Sequence, residues 1–253
     1  MSSYCVLLTD TKTAFDEAGI AFIVFVYLLF TLRIGPRFMR NKSPWAPVEA
    51  IFFFNIIKLV HACFLTKYFY FYIDKMGIFP QECLDHVQSN IDCVYYRLML
   101  VKMLDLCDTM YLILRNEFHQ VTFSHVYRRL MMLFITWVCL KYDGTSVLWA
   151  FVGMVHSALL VPMYLADALV ILGPRAARFA WWRKYFPAVY MAQFLVFLLH
   201  TGALSVELGC PRSRALVGAV AAHGAGFLML YCLYWRYCRR ARARGEDEII
   251  LSA

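Results

Sequence analysis

Several side chains able to do chemistry stand inside otherwise apolar stretches of this sequence, where an ionisable group is costly and by default functional. Lys102, Asp105 and Asp108 recur every three residues, so a helix carries all three on one face. His125 is followed by Arg128 and Arg129, and His156, Gln193, His200 and His223 lie in later apolar runs. Imidazoles serve as nucleophiles, bases or metal ligands near neutral pH. Carboxylates take protons, and a guanidinium fork grips a carboxylate or phosphate in bidentate fashion. Gathered from several helices, these groups would line a wet polar cavity inside a membrane. Plainer readings compete with this one. A lone membrane histidine usually hydrogen-bonds a neighbouring helix, and Lys102 at three residues' spacing suits a pair with Asp105. Arg128 and Arg129, less than two turns into their helix, suit snorkelling to the interface. Concentration in consecutive runs favours a site. Composition leaves transporter, channel, receptor and intramembrane enzyme open.

The elements that must position these groups are membrane helices. Of 253 residues, 62% are hydrophobic and 17% charged, against about 45–50% and 25% in soluble domains. The pattern predicts an all-α polytopic membrane protein forming a single domain over 1–253, with spans near 18–34, 48–66, 96–114, 122–140, 147–171, 187–206 and 214–235. Gly35-Pro36, Lys42-Ser43-Pro44, Asp143-Gly144, Gly173-Pro174 and Gly209-Cys210-Pro211 punctuate them. Fourteen basic residues fall in the connections after spans one, three, five and seven, with Arg33, Arg37, Arg40, Lys42, Arg115, Arg175 and the 236–253 tail among them. Five fall on the opposite side: Lys12, Lys67, Lys75, Lys141 and Arg212. The positive-inside rule then places the C-terminal tail in the cytosol and the N-terminus in a lumen or outside. It also puts the sequon Asn41-Lys42-Ser43 on the cytosolic face, where it is not used. The formal charge of +8 is accounted for by orientation in an anionic membrane rather than by nucleic acid. Cys63, Cys107, Cys139 and Cys232 lie in apolar runs and read as small hydrophobes. Asp10, Asp16 and Glu17 before the first run exclude the basic start of a cleaved signal, so that run is expected to be retained.

The residues resemble one family through nearly the whole chain: the fatty-acid elongases, or ELO proteins. Gly35-Pro36-Arg37-Phe38-Met39-Arg40-Asn41-Lys42-Ser43-Pro44 is similar to the family's GPxxMxxRxP, and Asn55 to its span-two Asn. Lys102-Met-Leu-Asp105-Leu-Cys-Asp108-Thr109, then Leu114-Arg115, resembles KxxExxDTxFxxLR with Asp105 in place of Glu. Gln120-Val-Thr-Phe123-Ser-His125-Val-Tyr127 resembles the approach to the histidine box, QxxFLHxxHH. Trp137, Lys141-Tyr142, Gly144, Lys184-Tyr185, Gln193-Phe194, His200 and Cys210-Pro211 follow in the family's order.

The resemblance implies a seven-helix bundle enclosing an acyl-CoA tunnel in the endoplasmic reticulum membrane, N-terminus lumenal. It implies condensation of a long-chain acyl-CoA with malonyl-CoA to a 3-ketoacyl-CoA, CO2 and CoA through an acyl-imidazole, with no cofactor and no metal. Implied partners are both CoA esters, membrane lipid, and other elongation-cycle enzymes or a second copy. Two departures fall where the chemistry belongs. The box reads His125-Val-Tyr127-Arg128-Arg129, and guanidinium groups are neither acyl acceptors nor bases. The fifth-span NSxVHxxMYxYY becomes Val152-Gly153-Met-Val155-His156 and onward, keeping His156 but losing the Asn and the tyrosines. The alternatives are therefore a working enzyme using His125 and His156, with His119 in reserve, and a silent relative that binds acyl-CoA or associates with active elongases. Lys102, Asp105, Asp108, Arg115, Gln120, Arg128, Arg129, Gln193 and His200 are the expected substrate-binding set. The dilysine retrieval signal is missing from the terminal Ile249-Ile250-Leu251-Ser252-Ala253, leaving the Arg239-Arg240-Ala-Arg242 run as a substitute. Resemblance also implies a lumenal disulfide between Cys83 and Cys210, with Cys93 the runner-up for Cys83. The short hairpin between spans three and four predicts that Arg128 or Arg129 bonds Asp105 or Asp108.

Overall fold

Gly35-Pro36 reads as a stop, yet the chain stays helical across it. The computed structural model describes residues 16–45, 47–78, 88–142, 147–207, 218, 221–230, 232, 233 and 236. Helix α1 (Glu17–Leu29) starts on Asp16, whose Oδ1 accepts the Glu17 N–H at 2.7 Å, and passes through one π turn, Phe30–Ile34, into α2 (Gly35–Met39). Within that turn the Gly35 N–H reaches back five residues to the Phe30 carbonyl. The wider register is what accommodates Pro36, which brings no N–H and would crowd an ordinary turn. The remaining helices are α3 (Val48–Met76), α4 (Gln88–Leu114), α5 (Phe123–Tyr142), α6 (Val147–Ile171), α7 (Phe186–Glu207) and α8 (Ala221–Leu230). A 3-10 run, Arg178–Tyr185, leads into α7. No strand occurs among the described residues. The fold is all-α, with helices at all seven expected positions.

Among the described residues, four stretches are long and apolar enough to cross a membrane: Glu17–Met39, Val48–Lys75, Ala150–Ile171 and Pro174–Ala203. The protein is a multi-pass membrane protein. Helices α4 and α5 have the length, at 27 and 20 residues, but their charged side chains keep them out of that group. Helix α3 runs ten residues past the expected end of span two, because nothing between Leu65 and Met76 breaks a helix. Lys67 and Lys75, read from the sequence as connection charges, therefore sit on its last turns. Gly77, at φ +82°, ends it in a conformation that costs glycine nothing.

The described residues form two compact units. The first holds α1, α2, α3 up to Leu65, α4 and α5. Its core is Ile20 and Tyr27 of α1, Met99 and Leu106 of α4, and Val126, Leu133 and Trp137 of α5. Lipid is as apolar as these side chains, so close packing rather than burial from water joins the helices. Gly35 shows how close: a Cβ there would stand 2.8 Å from Ile113 Cγ2 of α4 and 2.9 Å from the Phe30 carbonyl oxygen. The second unit takes α3 from Thr66, then α6, α7 and α8. Phe69 of α3 lies on Gly153 of α6, where a Cβ would meet the ring at 2.6 Å. Phe194 of α7 stacks on Phe227 of α8 with centroids 4.8 Å apart.

Candidate functional site

Local structure places His125 first. Thr122 caps α5, its Oγ1 accepting the His125 backbone N–H at 3.2 Å, so His125 is fixed at the third helical position. Opposite it, α4 ends in a left-handed turn at Asn116, φ 59°, a conformation asparagine tolerates. The Asn116 side chain donates to the Lys42 carbonyl at 3.0 Å, and the Trp45 N–H to the Leu114 carbonyl at 2.9 Å. These bonds moor the segment that follows α2 to the foot of α4. Only Phe118–Gln120, with three residues before it and two after, separates the helices, so α4 and α5 stand as a tight antiparallel hairpin.

That hairpin brings Lys102, Asp105, Asp108 and Arg129 together. Arg129 bridges both aspartates, Nη1 to Asp105 Oδ1 at 3.0 Å and Nη2 to Asp108 Oδ2 at 2.9 Å. The ion pair expected from the short hairpin is present, and Arg129 makes it. Lys102 Nζ lies 3.3 Å from Asp105 Oδ2. A further member was not read from the sequence: Lys58 of α3, fully buried, donates to Asp108 Oδ1 at 2.5 Å and lies 3.9 Å from Asp105 Oδ1. The signal was available, since a lone lysine in an apolar run is as telling as a lone aspartate. Arg128 is half-buried on the same helix as Arg129.

One turn along α4, Thr109 carries a second network. Its Oγ1 accepts from the Tyr27 hydroxyl at 3.0 Å and stands 3.1 Å from His125 Nε2. Thr109 is fully buried and Tyr27 nearly so. A hydroxyl has two lone pairs and one proton, so Thr109, while accepting from Tyr27, accepts from Nε2 or donates to it according to the tautomer of the ring. It is the one hydrogen-bond partner of the His125 ring among the described residues.

Other expected residues lie elsewhere. Arg115 pairs with Glu117 at 2.6 Å, and Gln120 donates to the same carboxylate at 3.0 Å, so both close the turn after α4. His156 of α6, in the second unit, meets Gln193 of α7, Nδ1 to Nε2 at 2.9 Å, with both side chains buried. The His200 ring lies 4.3 Å from that of Phe151, centroid to centroid, and His223 meets Phe227 edge-on at 4.9 Å. His119 has its backbone in the 3-10 turn; its side chain, Cys83, Cys210, the side chain of Cys93 and the tail from 237 lie outside the described residues.

Polar residues on α3, α4 and α5, two aspartates ringed by three cations and one imidazole hydrogen-bonded to a hydroxyl, form a polar cluster within an apolar helical protein. The model of the ELO (GNS1/SUR4) family matches residues 16–244. The rat very long chain fatty acid elongase 7 is 25% identical over 235 residues, covering 88% of this chain and 80% of that protein. The mouse very long chain fatty acid elongase 1 is 26% identical over 220 residues, covering 84% and 78%. Elongase F of Drosophila simulans is 25% identical over 220 residues, covering 83% and 82%. With the family match running over nearly its whole length, this chain belongs to the ELO family of fatty-acid elongases.

Proposed function

We propose that this elongase-family protein condenses a long-chain acyl-CoA with malonyl-CoA in the endoplasmic reticulum membrane, using His125 as nucleophile. One observation carries the reading: the Thr109 hydroxyl sits 3.1 Å from His125 Nε2 and is backed by Tyr27. With Thr109 accepting the Nε2 proton, Nδ1 keeps its lone pair and the neutral ring is oriented for attack. Nδ1 adds to the thioester carbonyl, the C–S bond breaks and CoA leaves. Thr109 then faces the N–H of the acyl-imidazolium that forms. Malonyl-CoA loses CO2, and its enolate carbon attacks the acyl carbon, releasing the imidazole and 3-ketoacyl-CoA. This chemistry uses no metal and no organic cofactor. The family assignment and the relatives' names support the substrate class. The basic connections support a cytosolic C-terminal tail. His156, held by Gln193, is the second imidazole of the reading.

A silent acyl-CoA-binding relative is the second reading, favoured by the arginine that closes on both aspartates in the box. Radiolabelled malonyl-CoA supplied to purified protein separates the two. Chain-extended product that disappears in His125→Ala supports condensation. Product that persists in the His125→Ala, His156→Ala double variant removes both assignments. An inert wild type that gains activity as Arg128→His, Arg129→His establishes the silent reading instead.

A further inference from the structure

We infer that the connection between α6 and α7, residues 174–185, binds the headgroups of anionic phospholipid, with Arg175 and Arg178 as the phosphate donors. Between Asp167 and Glu207 the sequence has no acidic residue and four basic ones, Arg175, Arg178, Arg183 and Lys184. Arg183 is drawn to Asp167 at 3.5 Å. Arg175 and Arg178 are exposed and meet no carboxylate among the described residues. The same run displays two large aromatic rings, Phe179 at 68% and Trp181 at 64% exposure. Tyr185 lies edge-on beside Trp181, with ring centroids 6.1 Å apart.

Length and charge fix where this run lies. Helix α7, at 22 residues, is about 33 Å long and crosses the hydrocarbon without help from the residues before it. Permanent cations are costly in hydrocarbon, so the arginines hold the run out of the membrane core. Exposed tryptophan and tyrosine favour the headgroup level, so the rings keep the run from moving further into water. Two contacts pin it against α6: Trp182 Nε1 donates to the Pro162 carbonyl at 3.4 Å, and Arg183 reaches Asp167. Gly173, at φ +104°, turns the chain out of α6 in a conformation that other residues rarely adopt. A guanidinium fork takes two oxygens of one phosphate. A soluble phosphate compound would satisfy the arginines but leave Phe179 and Trp181 in water. A phospholipid brings phosphate and acyl chain together and covers both, which makes it the occupant.

Photo-cross-linking of the full-length protein in nanodiscs tests this without turnover. Phosphatidylcholine discs carry a photoactivatable phosphatidylserine or, at the same fraction, a photoactivatable phosphatidylcholine, and labelled sites are mapped by mass spectrometry. One basic residue near an anionic surface is worth about fivefold. Phosphatidylserine should therefore label this connection at least about fivefold more than phosphatidylcholine does. Arg175→Gln, Arg178→Gln should bring that ratio close to one, while the ratio at the basic connection after α2 stays unchanged. Arg175→Lys, Arg178→Lys should keep most of the preference. A wild-type ratio near one overturns the proposal and leaves the arginines as topology determinants alone. Absence of labelling by both lipids, or a preference that the glutamine pair leaves intact, overturns it as well. A preference abolished by soluble CoA assigns the guanidinium groups to a soluble phosphate and overturns the lipid assignment. Should the glutamine pair not fold, Arg178→Gln alone takes its place and should still lower the ratio.

Discussion

At the residue scale, the buried ion cluster and the hydroxyl relay make separable predictions. Breaking a buried charge pair from one side leaves a charge uncompensated, at a cost of about 3–5 kcal/mol. Lys58→Met should therefore lower the unfolding midpoint in detergent strongly. Arg115→Ala, which breaks the more exposed pair with Glu117, should cost about 0–1 kcal/mol. Equal shifts for the two variants would mean that Lys58 is not a keystone of the cluster. Thr109 is tested by isosteres. Thr109→Val removes its hydrogen bonds to Tyr27 and His125; with the one to His125 worth about 1 kcal/mol, the condensation rate should fall about fivefold, and Thr109→Ser should restore it. A valine variant as fast as wild type would detach the Tyr27–Thr109 relay from His125's chemistry. The residue that sequence reasoning passed over, Lys58, is fifty positions from Asp108 in the chain. Its role depends on α3 standing beside α4, which no local pattern declares.

At the element scale, two glycines in helices make opposite demands. Gly35 lies where the π turn meets α2, and a methyl group there would push into Ile113 and the Phe30 carbonyl. Gly35→Ala should destabilise by about 1–3 kcal/mol, since neither the backbone nor a packed isoleucine yields cheaply. Gly226 of α8 has nothing within 4 Å of its would-be Cβ, so Gly226→Ala should leave the melting curve nearly unchanged. Thermal melts of the two variants side by side check the contrast. Gly35-Pro36 was legible as punctuation but not as a continued helix. Proline signals a break from its missing N–H alone. Whether a π turn absorbs that loss depends on packing against α4. The ends of α5 and α6 were legible to within two residues, because the apolar runs stop at turn-forming residues.

At the scale of the whole molecule, membrane integration and orientation are measurable together. The protein should stay in the membrane pellet at alkaline pH and be released by detergent, as expected for several apolar spans. A protease added to sealed microsomes should remove a C-terminal tag and spare an N-terminal one. The reverse protection would invert the orientation taken from the basic connections.

What the sequence determined by itself is what depends on near neighbours along the chain. Apolar runs of membrane length, the common face of Lys102, Asp105 and Asp108, and an arginine meeting an aspartate across a short hairpin all follow from helical periodicity and loop length. The motifs also carried the family. Tertiary structure alone decided that Arg129 spans both aspartates, because consecutive residues on a helix point about 100° apart and the rotation of α5 against α4 turns this guanidinium to Asp105 and Asp108. It alone brought Lys58 from α3 and Tyr27 from α1 onto the same stretch of α4. Arg115 and Gln120, grouped with the site by their motifs, were drawn to Glu117, the nearest free acid at the helix end. The physical reason is common to all three: helix rotation and the pairing of buried charges are settled by side-chain packing between distant segments, which the one-dimensional pattern does not contain.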